Sequence, residues 1–214
     1  MKRYILWDND GVLVDTEYWY FKATQRALAE LGIALEQATY LQRMVRGASS
    51  WELAAAAGVD GDVIASKRQQ RDAYYEAFLA HQEIEIPGVE PVLAALSGTH
   101  KMAVVTTSTR THFERIHHNR TLLQHMDFVL TREDYAASKP DPEPYLLALR
   151  RFGARAEECL VVEDSQRGLQ SALAAGIDCA IVHNAFTSSH DFSGARHRLN
   201  SLAELTGILH ASAR

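Results

Sequence analysis

Short apolar runs recur at 4–7, 102–105, 128–130, 160–162 and 179–182, and each gives way to polar residues and then to a helix-length stretch. Runs this short, without polar alternation, fit strands buried on both faces, and the helix-length spacing predicts βαβ units in a parallel sheet. The punctuation agrees. Asp141 caps and Pro142 opens a helix that reaches about Phe152, where Gly153 stops it; Ser165 begins another that ends at Gly176.

Residues from about 16 to 86 break the alternation, for they hold no convincing strand. Trp19, Ala23, Ala27, Leu28 and Leu31 recur at helical spacing as far as Gly32, and Ala38, Leu41 and Val45 form a shorter stripe that stops at Gly47. Ser49 with Glu52 reads as a capping box ahead of a helix over 51–57, and Val63, Lys67, Arg71, Tyr74 and Phe78 mark a longer helix. The pattern therefore predicts an α/β core made of 1–15 and 87–214, with an α-helical subdomain, 16–86, inserted after the first strand. Thr16 and the Ile86-Pro87-Gly88 turn are the expected hinges.

Composition narrows the function classes. The 214 residues are 47% hydrophobic with a formal net charge of −5, so neither nucleic acid nor an anionic membrane surface is the expected partner. No stretch approaches the roughly 20 apolar residues of a membrane span. The basic, then apolar, start at Met1 ends at Asp8, too soon for a signal-peptide core. Cys159 and Cys179, the only cysteines, lie in or beside strand-like runs and read as reduced, buried thiols, which points to the cytoplasm.

The ends of four strands carry the chemistry. The first runs into Asp8-Asn9-Asp10-Gly11, and in an open α/β sheet ligands bind beyond the carboxyl ends of the strands. The second delivers Thr106-Thr107-Ser108, whose hydroxyls and successive N–H groups suit phosphoryl oxygens. Lys139 sits in a proline-bracketed loop, Ser138-Lys139-Pro140-Asp141-Pro142. The fourth strand ends in Glu163-Asp164-Ser165. Taken singly, each has an ordinary explanation as a turn, a cap or a solvated charge. Together, Asp8, Asp10, Glu163 and Asp164 would bring up to four negative charges into one crevice, which calls for a neutralising cation. Mg2+ takes oxygen ligands of this kind, commonly one or two carboxylates with water and a substrate phosphate, and Lys139 adds positive charge.

The order Asp-x-Asp, Thr, Lys, Glu-Asp over about 160 residues resembles the haloacid dehalogenase superfamily, in its phosphatase branch with an α-helical cap. The resemblance covers Tyr4 to at least Ile181 and includes a Pro87-Gly88-Val89 return to the core. It implies a Rossmann-like three-layer core with a helical cap over the active site, and a Mg2+-dependent phosphohydrolase acting on a small phosphorylated metabolite. It also implies roles. Asp8 is the nucleophile that becomes an aspartyl phosphate, and Asp10 protonates the leaving oxygen and later activates water. Thr106 and the amides of Asn9 and Thr107 hold the phosphoryl group, and Lys139 balances charge. Mg2+ is bound by Asp8, the Asp10 carbonyl and Asp164, with Glu163 a ligand or a support behind one. Asn9 departs from the family's habit of an apolar or aromatic residue there.

Other features leave alternatives open. Arg46 and Arg110, like Arg43, either grip an anionic substrate or are ordinary helix-end side chains, and Glu17, just after the hinge, either enters the cavity or stays outside it. The histidines at 112, 117, 118 and 125 read as surface helix residues, since they lack metal-site spacing. A monomer or weak homodimer is expected. Within the resemblance, Asp10 disfavours dehalogenation. A β-phosphoglucomutase-type phosphomutase shares the core motifs, but its cap histidine and arginine fall here at Tyr20 and Ser50. A non-enzymatic phospho-receiver domain lacks the helical insertion and places its acids differently.

Overall fold

The computed structural model describes residues 1–211, which divide into two compact units, 1–14 with 85–211, and 15–84. The expected boundaries at 15/16 and 86/87 lie one and two residues further along, because Val14 pairs with Glu85 as an isolated antiparallel bridge.

The first unit is built on six parallel strands: β1 (Tyr4–Trp7), β2 (Lys101–Val105), β3 (Phe128–Leu130), β4 (Cys159–Glu163), β5 (Asp178–Val182) and β6 (His197–Leu199). Their order is β3-β2-β1-β4-β5-β6. The central strands are buried along almost their whole length, as their continuous apolar runs require. β6 was not anticipated: His197-Arg198-Leu199 buries only its leucine, too weak a pattern to stand out as a strand.

The helices of this unit are α5 (Val89–Ser97), α6 (Arg110–His117), α7 (Glu143–Phe152), α8 (Gln166–Ala174) and α9 (Ala203–Ala211) in the numbering of the whole chain. Right-handed crossovers running outward from β1 through β2 to β3, and then back through β4 to β5, place α5 and α6 on one face and α7 and α8 on the other. On the latter face Leu6, Ala103, Val105 and Val161 meet Tyr145, Ala148, Leu169 and Ala172 in one buried cluster. The order of winding reverses between the parallel neighbours β1 and β4, the switch point where such sheets open a crevice.

The second unit contains only helices among its described residues: α1 (Glu17–Ala29), α2 (Gln37–Val45), α3 (Glu52–Ala56) and α4 (Gly61–Leu79). α1 packs along α4, through Trp19 against Phe78 and Tyr20 edge-on to Tyr75. The expected Ser49/Glu52 capping box is replaced. Ser49 Oγ accepts from the Trp51 amide at 3.3 Å, while Glu52 turns to the Arg43 guanidinium at 2.5 Å. Asp60 supplies the cap of α4 by accepting from Asp62 and Val63.

Candidate active site

β1 and β4 are neighbours in register, so their carboxyl ends bring Asp8, Glu163 and Asp164 side by side. One carboxylate oxygen from each lies within 4.8 Å of the others, and all three residues are buried. Lys139 reaches into this group from the loop before α7, where the Lys139–Pro140 peptide is cis. Its ammonium, 2% exposed, donates to Asp8 Oδ1 at 2.8 Å, Glu163 Oε1 at 2.7 Å and the Val105 carbonyl at 2.8 Å. Three donors meet three acceptors, so the lysine has no proton left to share.

The electrostatics follow from burial and proximity. Burial first, then the Glu163 and Asp10 charges, push the Asp8 carboxyl up to about 7 against the pull of Lys139. Burial works against Lys139 too, but Asp8 and Glu163 override it and hold the ammonium above its usual range. Glu163 stays below the usual carboxylate range despite its burial, because Lys139 and Ser165 donate to it. One lysine is thus insufficient for the three acids. The group is short of positive charge, and its donors are hard oxygens, which suits a divalent cation.

Both oxygens of Glu163 are already engaged. Oε1 accepts from Lys139 and from Tyr145 Oη at 3.0 Å, and Oε2 accepts from the amides of Asp164 and Ser165 and from Ser165 Oγ. Those contacts fill the roughly four acceptor sites of a carboxylate. Two glycines permit the crowding. A Cβ on Gly168 would fall 1.9 Å from the Glu163 carboxyl group, and one on Gly11 2.1 Å from Asp164 Oδ2. Gly11 also has φ +84°, a conformation that side chains with a Cβ resist.

The Asp10 side chain is held from the second strand end. Its Oδ2 accepts from Ser108 Oγ at 2.8 Å and Thr106 Oγ1 at 3.2 Å. Thr106 is wholly buried, its carbonyl accepting from Tyr135 Oη at 2.7 Å. Thr107 lies beside it and accepts from Arg167 Nη2 at 3.3 Å.

Of the two candidate anion-binding arginines, one is already paired. The Arg110 guanidinium donates to both Asp134 oxygens at 2.8–2.9 Å, so it is an ion-paired helix-start residue and not a contact of the Asp8 cluster. Arg46 is exposed at the C-terminal cap of α2, in the second unit. The surface reading of His117 is also corrected. The ring is 4% exposed and lies 2.7 Å from Asn9 Oδ1.

Several residues of the site escaped the sequence reading. Arg167 was hidden in an ordinary helical first turn. Gly168, a glycine inside a helical pattern, was the available signal for a close approach at that point. Thr187, after β5, donates to the Asp164 carbonyl at 2.7 Å, and Asn184 Nδ2 lies 3.4 Å from the Gly11 carbonyl. No helix among the described residues is long and apolar enough to cross a membrane.

Comparison with known proteins agrees with this arrangement. The profile of haloacid dehalogenase-like hydrolases matches residues 5–182. The fructose-1-phosphate phosphatase YqaB of Escherichia coli is 30% identical over 83% of this chain and 95% of its own. A phosphorylated carbohydrates phosphatase of Thermotoga maritima is 30% identical over 84% of this chain and 85% of its own. The crystal structure of CbbY from Rhodobacter sphaeroides in complex with phosphate superposes with a TM-score of 0.79 at 27% identity, covering 96% of each chain. With its profile match running from the first strand through the fifth, the chain belongs to the haloacid dehalogenase-like hydrolases.

Proposed function

We propose that this hydrolase cleaves small phosphate monoesters with Mg2+, using Asp8 as the nucleophile, and that phosphorylated carbohydrates are its substrate class. The observation that carries the reading is the gathering of Asp8, Glu163 and Asp164 at the switch point of the sheet, with Lys139 bonded to the first two. The substrate class rests on the named activities of the two phosphatases above, and the Asp8 cluster suits any ester of that kind.

In the first step an Asp8 carboxylate oxygen attacks phosphorus, the bond from phosphorus to the ester oxygen breaks, and Asp10 gives that oxygen its proton. Water then attacks the same phosphorus, Asp10 takes a proton from it, and the bond to Asp8 breaks to release inorganic phosphate. Ser108 holds the Asp10 carboxyl for both transfers. Thr106, Thr107 and the amides around Asn9 receive the phosphoryl oxygens, and Arg167 holds the Thr107 hydroxyl. Lys139 keeps Asp8 aimed while Glu163 keeps Lys139 in place. Asp8, Asp164 and the Asp10 carbonyl would hold Mg2+, which supplies charge to offset the phosphoryl oxygens and the clustered acids.

Metal dependence has a defined pH signature. The Asp8 carboxyl sits near 7 without a cation, above its ordinary value of 3.8. A raised acid favours the folded state fully below 3.8, and that contribution is lost as pH rises through 7. Cation binding must displace the proton. Mg2+ affinity, measured by calorimetry, should therefore climb from pH 5 to about 7 and level off above. EDTA should abolish phosphate release and Mg2+ restore it, while Ca2+, with its larger and looser oxygen shell, should inhibit. A pH-independent affinity, or full activity in metal-free protein, would contradict the site.

Hydrolysis rather than phosphoryl migration is the expected outcome. Burial pushes the Tyr20 phenol above its usual range of about 10, against the Arg71 guanidinium 4.3 Å from its ring. It cannot relay protons near neutrality as an imidazole does. Supplied with β-glucose 1-phosphate and a trace of the 1,6-bisphosphate, the enzyme should release free phosphate faster than it forms glucose 6-phosphate. The reverse order would identify a mutase.

A further inference from the structure

The contact between Asn9 and His117 takes no part in the chemistry above, yet it lies at the centre of the loop that carries it. Asn9 is fully buried between the two aspartates. Its carbonyl accepts from the amides of Val12, Leu13 and Val14 at 2.9–3.3 Å, so one peptide oxygen anchors the turn that follows Asp10. Its side-chain Oδ1 lies 2.7 Å from His117 Nε2. His117 ends α6 and packs against Phe113 with ring centroids 4.5 Å apart.

Burial first, and the Arg120 charge with it, push the His117 ring down to about 4 against the opposing pull of Asp10, so the ring is neutral. With its single proton on Nε2 it donates to Asn9 Oδ1, while His117 Nδ1 and Asn9 Nδ2 have no partner among the described residues. Buried polar atoms left this way are destabilising. A leucine and a phenylalanine would fill the same space without that cost, and without fixing any orientation. The segment leading into α6 grips the loop a second time, since Ser108 and Thr106 both donate to Asp10. The two links fall on adjacent residues.

We propose that Asn9 and His117 are positioning residues, whose hydrogen bond ties the last turn of α6 to the Asp8–Asp10 loop and sets the aim of the Asp10 carboxyl. The inference rests on the proton-donor role given to Asp10 above.

Three variants separate positioning from packing. In His117→Gln the side-chain amide nitrogen falls where Nε2 does. His117→Asn reaches only as far as Nδ1, and His117→Phe keeps the ring without a donor. His117→Gln should stay close to the parent in kcat. The other two should lose about 10- to 100-fold in kcat, the scale of a misaimed group, with KM little changed. The loss should be larger for an alkyl phosphate than for an activated aryl phosphate, whose leaving oxygen needs less protonation. Hydrogen exchange gives a readout independent of activity. Amides of 9–14 should exchange faster in His117→Phe and His117→Asn but not in His117→Gln, while those of 101–105 and 159–163 hold.

The double variant Asn9→Leu/His117→Phe should recover melting temperature and not kcat. If kcat instead follows melting temperature across the series, or exchange at 9–14 is the same in all variants, the positioning role is wrong. If the parent cleaves no phosphate ester, the Asp10 reading fails, and exchange alone decides the tie.

Discussion

Asp8→Asn should remove phosphate release by about 10,000-fold or more, the scale seen when a covalent nucleophile is deleted, while leaving the fold intact. An amide neither attacks phosphorus usefully nor holds a hard cation as a carboxylate does. The substitution is close to isosteric, and the stability expectation has a sign. Because Asp8 is held near 7 in the folded state, its ionised form is disfavoured there, and above that pH its charge weakens the metal-free protein. At pH 8 in EDTA the variant should therefore melt no lower than the parent, and Mg2+ should raise its melting temperature less. Circular dichroism melts beside phosphate-release assays check both halves. A variant that keeps a few per cent of the parental rate would remove Asp8 from the mechanism.

Lys139→Met should damage both chemistry and stability. The lysine is the one cation in contact with Asp8 and Glu163 among the described ion pairs, and all three of its protons are used. Its removal leaves two carboxylates and the Val105 carbonyl facing a methyl group. Breaking a buried ion pair from one side typically costs about 3–5 kcal/mol. The deficit should depend on pH. Without the lysine both acids fold most readily when protonated, so the loss should be small near pH 5 and grow towards pH 8. Urea melts at those two pH values give the comparison, and a deficit equal at both would contradict the charge balance. Lys139→Arg should not rescue, because a planar fork cannot direct three donors from one nitrogen within a site that is 2% exposed.

How far the site could be read from the sequence followed from how local each signal was. The Asp8–Gly11 turn, the Thr106 run, Lys139 and the Glu163-Asp164 pair each end or follow a buried apolar run, so position along the chain already implied a shared edge of the sheet. Pairwise partners had no such signal. Arg110, after the threonine run, was open to a phosphate contact or an ordinary helix start, and its ion pair with Asp134, 24 residues on, had no local signal. His117 was one of four histidines between 112 and 125, and nothing local disclosed that its ring meets Asn9, 108 residues earlier. Arg167 and Thr187 belong to the same class, since their roles come from strand order. β6 was missed because one buried leucine makes no pattern.

The claim at the centre of the account is a covalent bond between Asp8 and phosphorus, and borohydride trapping tests it most directly. An excess of enzyme is mixed with a phosphorylated sugar and Mg2+, acid-quenched within a single turnover, reduced with borohydride and digested for mass spectrometry. Reduction converts an aspartyl phosphate to homoserine and leaves a free carboxylate untouched. The account predicts homoserine at position 8, only when substrate is present, and at no other aspartate. Phosphate released in that turnover with Asp8 recovered wholly as aspartate, or homoserine at position 10 or 164, would contradict it.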